Sequence, residues 1–414
     1  MKIVMFTNTY YPAVGGIEKS IETFSSEMRR YRHRVLVVAP QYESVKKSTD
    51  EVLRVPAIKN FAGTPYSFKT YLPLSIARRI DDFKPDIIHS HQPFLLGDSA
   101  LRVARRLNVP LIYSNHTFME RYLYLLPMDW AILRGIAEKL PVAYANLSDH
   151  VITPTKSVAE KLRERGVVMP ISIIPTGIDA DFYAAGNREE FRKKHNLESE
   201  HFVLGHLGRL NPEKNLDYLA RVALEFVNMD PDRRRFLLVG SGRSVTAIES
   251  LFAENGASKQ LLYVGEKKGQ DSADAYAVMD AFIFTSLTDT QGLVLSEAMA
   301  AGNPVFALDA PGARDIVDHE SNGYLFSQDT SAREFAVTMD RIICDREKLC
   351  AMQRAACVDA RKLSIPNCTE TMLELYQSVI KSYSKNTKEI SIWHQMLNRW
   401  EVEIDLVKEK LISL

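Results

Sequence analysis

The feature that most constrains this chain is a repeated local pattern: a short apolar run of strand length, a turn, then a segment with helical spacing of apolar residues. Lys2 to Thr7 is the first such run. A loop with Pro12, Gly15 and Gly16 follows, and Ile17, Ile21, Phe24 and Met28 then mark one face of a helix. Further strands are expected at Arg34 to Ala39, Pro85 to His89, Pro110 to Tyr113, Val151 to Thr153 and Ile171 to Ile174, with helices at Ser99 to Leu107 and Ser157 to Arg165. Strands this short and apolar are buried on both faces, so the pattern predicts a parallel sheet with helices on each side.

After Gly177-Ile178-Asp179 a polar, charged stretch runs to about Glu200, and the alternation then restarts at Phe202 to Leu207. Strands are expected at Phe236 to Val239, Leu261 to Val264, Ala281 to Thr285 and Pro304 to Ala307, with helices between them at Asn215 to Val227, Ser244 to Glu254, Ala273 to Val278 and Leu295 to Ala301. The expected architecture is α/β, with two Rossmann-like doubly wound domains facing across a cleft. Residues 1–180 form the first domain, 181–200 a linker, 201–380 the second domain and 381–414 a helical tail. Open α/β sheets bind ligands beyond the carboxyl ends of their strands, so the function is sought there.

Composition narrows the class further. The 46% hydrophobic and 25% charged fractions exclude a disordered or collagenous chain. The opening segment lacks the pattern of a signal peptide, and no run of eighteen apolar residues occurs, so a cytoplasmic protein is expected. The four cysteines, Cys344, Cys350, Cys357 and Cys368, have neither disulfide-scaffold nor zinc spacing, and read as plain thiols. The formal net charge is zero, yet residues 1–180 carry 24 Lys and Arg against 17 Asp and Glu, leaving 28 against 35 for the rest. A basic first half suits contact with an anionic membrane surface, although uneven composition alone would give the same figure. A nucleic-acid partner is not expected.

Three motifs carry chemistry. Gly15-Gly16 lies between a strand and a helix, where bare backbone can approach a phosphate; a plain turn would look the same. It is neither G-x-G-x-x-G nor a Walker lysine motif. Gly208-Arg209-Leu210-Asn211-Pro212-Glu213-Lys214-Asn215 follows a strand directly, and places two cations five apart for a phosphate. The most specific is the segment from Ser286 to Val305, in which Asp289 precedes a glycine turn and Glu297 falls inside the next helix. Carboxylates so placed can each accept sugar or ribose hydroxyls, with helix amides between them for an anion.

These motifs, with Pro175-Thr176-Gly177-Ile178-Asp179, resemble in order and position those of retaining nucleotide-sugar glycosyltransferases of the GT-B fold, the large fourth family. The family usually has Glu where this chain has Asp289. The resemblance implies that Arg209 and Lys214 hold the donor diphosphate and that Gly15 and Gly16 approach it. It implies also that Asp289, with the backbone of Thr290, Gln291, Gly292 and Leu293, holds the donor hexose, and that Glu297 binds ribose. His116, in Ser-Asn-His-Thr-Phe, would sit beside the sugar as a catalytic residue, or be a structural histidine. No cofactor or metal is implied, only a donor such as UDP-glucose. Asp179-Ala180-Asp181 is an Asp-x-Asp at the linker and reads as structural.

The stretch from Phe118 to Trp130 is unusually aromatic. Arg121, Tyr122, Tyr124 and Trp130 are candidates for an acceptor or membrane side, with core packing or a lid as the alternative. The phrase Asn-His-Thr-Phe with two following tyrosines is similar to bacterial diacylglycerol glucosyltransferases. A UDP-hexose and a lipid acceptor such as diacylglycerol are therefore expected at the inner face of the cell membrane. A soluble glycan or small-molecule acceptor, or a GT-B epimerase, are the alternatives.

Overall fold

Strands that alternate their side chains between two apolar layers need helices on both sides, and both halves of this chain solve that problem in the same way. The structure, a computed structural model, describes residues 1–13, 15–42, 44–45, 48–56, 72–118, 120 and 130–387. It divides into two units: Met1–Gly177 together with the chain from Ile365 onward, and Ile178–Ser364.

The first unit runs β1 (Lys2–Phe6), α1 (Gly16–Arg30), β2 (Arg34–Pro40), β3 (Val52–Val55), α2 (Leu74–Phe83), β4 (Ile87–Ser90), α3 (Leu96–Leu107), β5 (Leu111–Ser114), α4 (Trp130–Leu147), β6 (His150–Thr153), α5 (Lys156–Glu164) and β7 (Ile171–Ile173). All strand pairs are parallel, in the order β3-β2-β1-β4-β5-β6-β7. Alternation along β1 divides the core: Val4 and Phe6 pack on one face, Ile3 and Met5 on the other, beside Ile21, Phe24 and Met28 of α1.

The second unit runs α6 (Ala180–Ala184), α7 (Arg188–Lys194), β8 (Phe202–Leu207), α8 (Leu216–Met229), β9 (Arg234–Val239), α9 (Val245–Glu254), β10 (Leu261–Tyr263), α10 (Gln270–Val278), β11 (Ala281–Phe284), α11 (Leu293–Ala300), β12 (Val305–Leu308), α12 (Ala313–Ile316), β13 (Gly323–Phe326), α13 (Ala332–Cys344) and α14 (Arg346–Lys362). Its sheet is parallel throughout, in the order β10-β9-β8-β11-β12-β13. Along β11, Ala281 and Ile283 face one core layer while Phe282 and Phe284 face the other.

The last described helix, α15 (Ile365–Thr387), belongs to the first unit. This differs from the expected division, which placed residues up to 380 in the second domain. The reason is the apolar stripe Met372, Leu373, Tyr376 and Val379, which is buried with Ile21 and Phe24 on the α1 side of the first sheet. Helical spacing gives a helix an apolar face but does not say which sheet that face will cover. The 181–200 stretch is likewise not an open linker. It forms α6 and α7, capped by the Asp179 and Asn187 side chains, and buries Tyr183 and Phe191 against the second unit's core. Asp179 is thereby structural. Strand β13 and helices α2 and α4, with β3, were not expected; of the helical tail expected over residues 381–414, only 381–387 fall within the described residues, as the end of α15. All four cysteines are free thiols.

Tyr376 ties α15 to the sheet with more than apolar contact: it is fully buried and its hydroxyl lies 2.6 Å from His89 Nδ1. Replacing Tyr376 by Phe keeps the packing and strands one buried ring nitrogen, an expected cost of about 1–3 kcal/mol. Tyr376→Ala adds a cavity and should cost about 3–5 kcal/mol. Urea midpoints of the two variants check the order; equal stability of Tyr376→Phe and wild type would show that the bond contributes nothing.

Candidate active site

In a doubly wound sheet the loops at the strand-order reversal depart to opposite sides and leave the carboxyl ends open. In the second unit that reversal falls between β8 and β11, and the two motifs singled out in the sequence are the loops that follow these strands. They are stitched together. Asn215 Nδ2 donates to the Thr285 carbonyl (3.2 Å), Thr285 Oγ1 to the Asn215 carbonyl (3.1 Å), and Thr288 Oγ1 to the Glu213 carbonyl (3.1 Å). Asn215 accepts φ = 56°, the left-handed conformation that Asn tolerates better than most residues.

Across these loops the Lys214 ammonium donates to Asp289 Oδ1 at 2.6 Å, with the two side chains 12% and 17% exposed. Burial pushes the Asp289 carboxyl up, but the Lys214 charge and hydrogen bond, the Ser286 hydroxyl and the Arg209 charge together outweigh it and hold the group below its ordinary value. The second carboxylate oxygen, Oδ2, is buried and has no hydrogen-bond partner. Such an atom is costly unless a donor reaches it. Arg209 is exposed at the start of the loop, two residues after β8.

Gly292 caps α11 in the left-handed conformation and, being glycine, brings no side-chain cap to the amides that open the helix at Leu293. Gln291 is buried, and Thr290 and Leu293 are half-buried beside it. Glu297 is buried rather than solvated, and Tyr276 donates its hydroxyl to Glu297 Oε2 at 2.9 Å. Burial, and then this carboxylate, raise the Tyr276 phenol well above its ordinary value, so it stays protonated and donates to Glu297.

The sequence reading missed three parts of this site. Gly312, at φ = 87°, lets the turn after β12 press against the acid loop: a Cβ there would meet the Asp289 carbonyl oxygen at 2.7 Å. A Pro-Gly pair after a strand was its only signal. His206 in β8 is buried, with Nδ1 3.0 Å from the Ile283 carbonyl; burial first, and then the Lys214 charge, bring its pKa down to about 4. Tyr276 lies on α10, and nothing local connects it with Glu297.

In the first unit the reversal falls between β1 and β4. The loops after these strands are joined by Asn8, whose Nδ2 donates to the Phe94 carbonyl (2.8 Å) and whose Oδ1 accepts from the Leu96 amide (3.0 Å). Gly15 caps α1 in an extended conformation, and a Cβ on it would meet the Glu18 carboxylate at 2.7 Å; Gly16 has open space instead. His116 follows β5 and does not stand alone. Its Nε2 lies 2.9 Å from His91 Nδ1, the two rings stack at 5.2 Å, and burial lowers the His116 pKa to about 4. His91 and His89 went unremarked in the sequence, where His89-Ser90-His91 at a strand end offered a visible signal. Arg121, Tyr122 and Tyr124 lie outside the described residues, and Trp130 is placed only as the first residue of α4. Among the described residues no helix is long and apolar enough to cross a membrane.

Comparison with known proteins places this geometry in a class. Residues 14–182 match the model of glycosyltransferase family 4, and residues 187–357 that of the glycosyl transferases group 1. The chain belongs to the GT-B glycosyltransferases described by these two models. Among its relatives, the alpha-monoglucosyldiacylglycerol synthase of Streptococcus pneumoniae is 28% identical over 79% of this chain and 75% of its own length. The GDP-mannose-dependent alpha-mannosyltransferase of Mycobacterium tuberculosis is 25% identical over 92% of this chain and 97% of its own. Among solved structures, Anabaena HepE in complex with UDP-glucose shares the fold at a TM-score of 0.70, with 20% identity over 91% of this chain and all of that one.

The Lys214–Asp289 pair has a pH signature. Asp289 is held below its unfolded value, so the stability it contributes is present above the unfolded carboxyl pKa near ~3.9 and is lost as pH falls through the folded value. Lys214→Ala removes the two largest influences that oppose burial, so the Asp289 carboxyl pKa moves upward. The variant should be less stable than wild type by about 1–3 kcal/mol at neutral pH, and the gap should narrow as pH falls toward the carboxyl range. Urea unfolding at several pH values reads this; a gap independent of pH would mean the pair is not coupled as described.

Proposed function

We propose that this glycosyltransferase is a retaining hexosyltransferase, moving glucose or a close hexose from a UDP-sugar to a hydroxyl of a membrane lipid such as diacylglycerol. The observation that carries the reading is the unpartnered, buried Asp289 Oδ2, held beside a lysine and the start of a helix at the β8/β11 reversal. A carboxylate kept ionised and half satisfied suits a sugar hydroxyl. Lys214, Arg209 and the α11 amides suit the diphosphate, and Glu297 suits ribose. The relative named for monoglucosyldiacylglycerol supports the lipid acceptor, and the HepE complex supports a UDP-sugar.

In this reading the acceptor hydroxyl attacks the anomeric carbon on the face the diphosphate leaves. The C–O bond to the new sugar ether forms as the bond to the phosphate oxygen breaks, and the departing phosphate takes the hydroxyl proton. Cations and helix amides stabilise the developing phosphate charge, so no metal is required. Arg121, Tyr122, Tyr124 and Trp130 meet the acceptor or an anionic membrane, where the enzyme sits peripherally on the cytoplasmic side. A second reading, a GDP-mannose donor, is favoured by the likeness to a mannosyltransferase over nearly the whole chain.

Arg209→Ala should lose a charge-assisted contact of about 1.5–3 kcal/mol and weaken UDP binding by roughly ten- to a hundredfold. Calorimetric titration measures it, and unchanged affinity removes Arg209 from the phosphate site. Nucleotide release should then be followed with UDP-glucose, other UDP-hexoses and GDP-mannose, in EDTA, with and without vesicles containing diacylglycerol. The expected outcome is vesicle-dependent release of UDP that EDTA does not abolish. Release of GDP alone selects the second donor, and release with soluble sugars but not vesicles overturns the lipid acceptor.

A further inference from the structure

The turn after β12 meets the acid loop through backbone alone. Gly312 is buried there at φ = 87°, and the position a Cβ would take lies 2.7 Å from the Asp289 carbonyl oxygen, 3.2 Å from its carbonyl carbon and 3.4 Å from the Gln291 amide nitrogen. The hydrogen that glycine carries in that direction points at the carbonyl oxygen, a Cα–H···O contact with no room for a methyl group.

The turn is braced against giving way. Arg314 Nε donates to Asp309 Oδ1 at 2.6 Å, and Gln328 Nε2 donates to the Asp309 carbonyl at 2.7 Å. The Arg314 amide closes back on the Ala310 carbonyl at 2.9 Å, and Ala310 and Ala313 are fully buried on either side of the glycine. From the β8 loop, Lys214 holds Asp289 Oδ1 at 2.6 Å, and the Glu213 carbonyl takes the Thr288 hydroxyl at 3.1 Å. Asp289 is therefore gripped twice: by the β8 loop at its carboxylate and by the β12 turn at its carbonyl. A short side chain held at both ends has little freedom to adjust its reach.

We propose that Gly312 is a positioning residue for the donor sugar: the braced turn fixes where the Asp289 backbone lies, and so where its carboxylate meets a sugar hydroxyl. This deepens the reading of Asp289 as the group that takes the hexose, and rests on it. A methyl at position 312 would need about 3.4 Å from the carbonyl oxygen, so the acid loop would retreat by several tenths of an ångström. A displacement of about 1 Å can cost roughly a hundredfold in rate, and half of it should cost roughly tenfold. Arg209 lies on the β8 loop and takes no part in this contact, so the effect should fall on the sugar's share of binding rather than on the nucleotide's.

The test sets Gly312→Ala beside Gly302→Ala, a glycine of the same unit at φ = 85° whose Cβ would touch only Cys357 Sγ, at an ordinary 3.5 Å. Both variants carry the strain of a left-handed alanine, and only the first displaces the acid loop. In the full chain labelled with 13C at the aspartate carboxyl carbons, the Asp289 signal is assigned by its loss in Asp289→Asn. Without any ligand it should shift in Gly312→Ala and keep its place in Gly302→Ala. By calorimetry, the ratio of UDP-glucose to UDP affinity, or of GDP-mannose to GDP affinity, should fall roughly tenfold in Gly312→Ala, with the bare nucleotide within about twofold of wild type. Gly302→Ala should keep both values. An unshifted Asp289 signal in folded Gly312→Ala, or an equal shift in the two variants, overturns the proposal. Should Gly312→Ala fail to fold, Arg314→Gln decides in its place: it releases the brace on Asp309 at the exposed end of the turn, and an Asp289 signal that it leaves unmoved overturns the proposal too. An affinity ratio that Asp289→Asn leaves at its wild-type value defeats the hexose reading, while the carboxyl signals still show whether Gly312 positions Asp289.

Discussion

The constraint on which the rest of this molecule depends is the reversal of strand order in each parallel sheet. A parallel sheet cannot be wound in one direction only and still be covered on both faces, so each unit starts near the middle and winds outward twice. The loops after the two central strands then have no helix between them. In one unit this leaves the β8 and β11 loops side by side, and in the other the β1 and β4 loops. Apart from Trp130 at the start of α4, every candidate residue that the structure describes lies on one of these loops, on the helix that one of them opens, or on the neighbouring loop after β5. The chemistry can therefore change by substitution at loop positions without disturbing the apolar layers beneath.

Within the second unit the decisive local interaction is the pair Lys214–Asp289. Each partner solves the other's desolvation problem: the lysine keeps a buried carboxylate ionised, and the carboxylate holds the lysine beside the α11 start. A pair of this kind adds little to stability when set against an apolar replacement. Its retention at a loop junction makes sense as preorganisation, with one carboxylate oxygen committed to the protein and the other available. Tyr276 does the comparable work for Glu297 from the helix behind it.

Much of this was legible in the sequence. Alternating apolar strands and helical stripes gave the α/β class and most element positions, because burial on two faces leaves a periodic trace. The acid motif was legible for a similar reason: a glycine turn after an apolar strand fixes where Asp289 and Glu297 fall relative to α11. Long-range partnership was not legible. Nothing near Tyr376 says that its helix returns to the first unit, since an apolar stripe carries no address. Gly312 acts through backbone proximity to Asp289, and the His91–His116 bond joins ends of two strands 25 positions apart. The short helices α6 and α7 were hidden by their charge, which masks two buried aromatic residues, Tyr183 and Phe191.

The central claim is that the loops after β8 and β11 together bind a nucleotide sugar. Hydrogen–deuterium exchange of the whole chain, with and without saturating UDP-glucose or GDP-mannose, addresses it without reference to acceptor or turnover. Bound phosphate and sugar should cover the backbone amides that open α11 and tighten the stitched loops. The account predicts slowed exchange in peptides spanning residues 208–216 and 285–297. Protection confined to other segments, with these two unchanged under a ligand shown to bind, would contradict it.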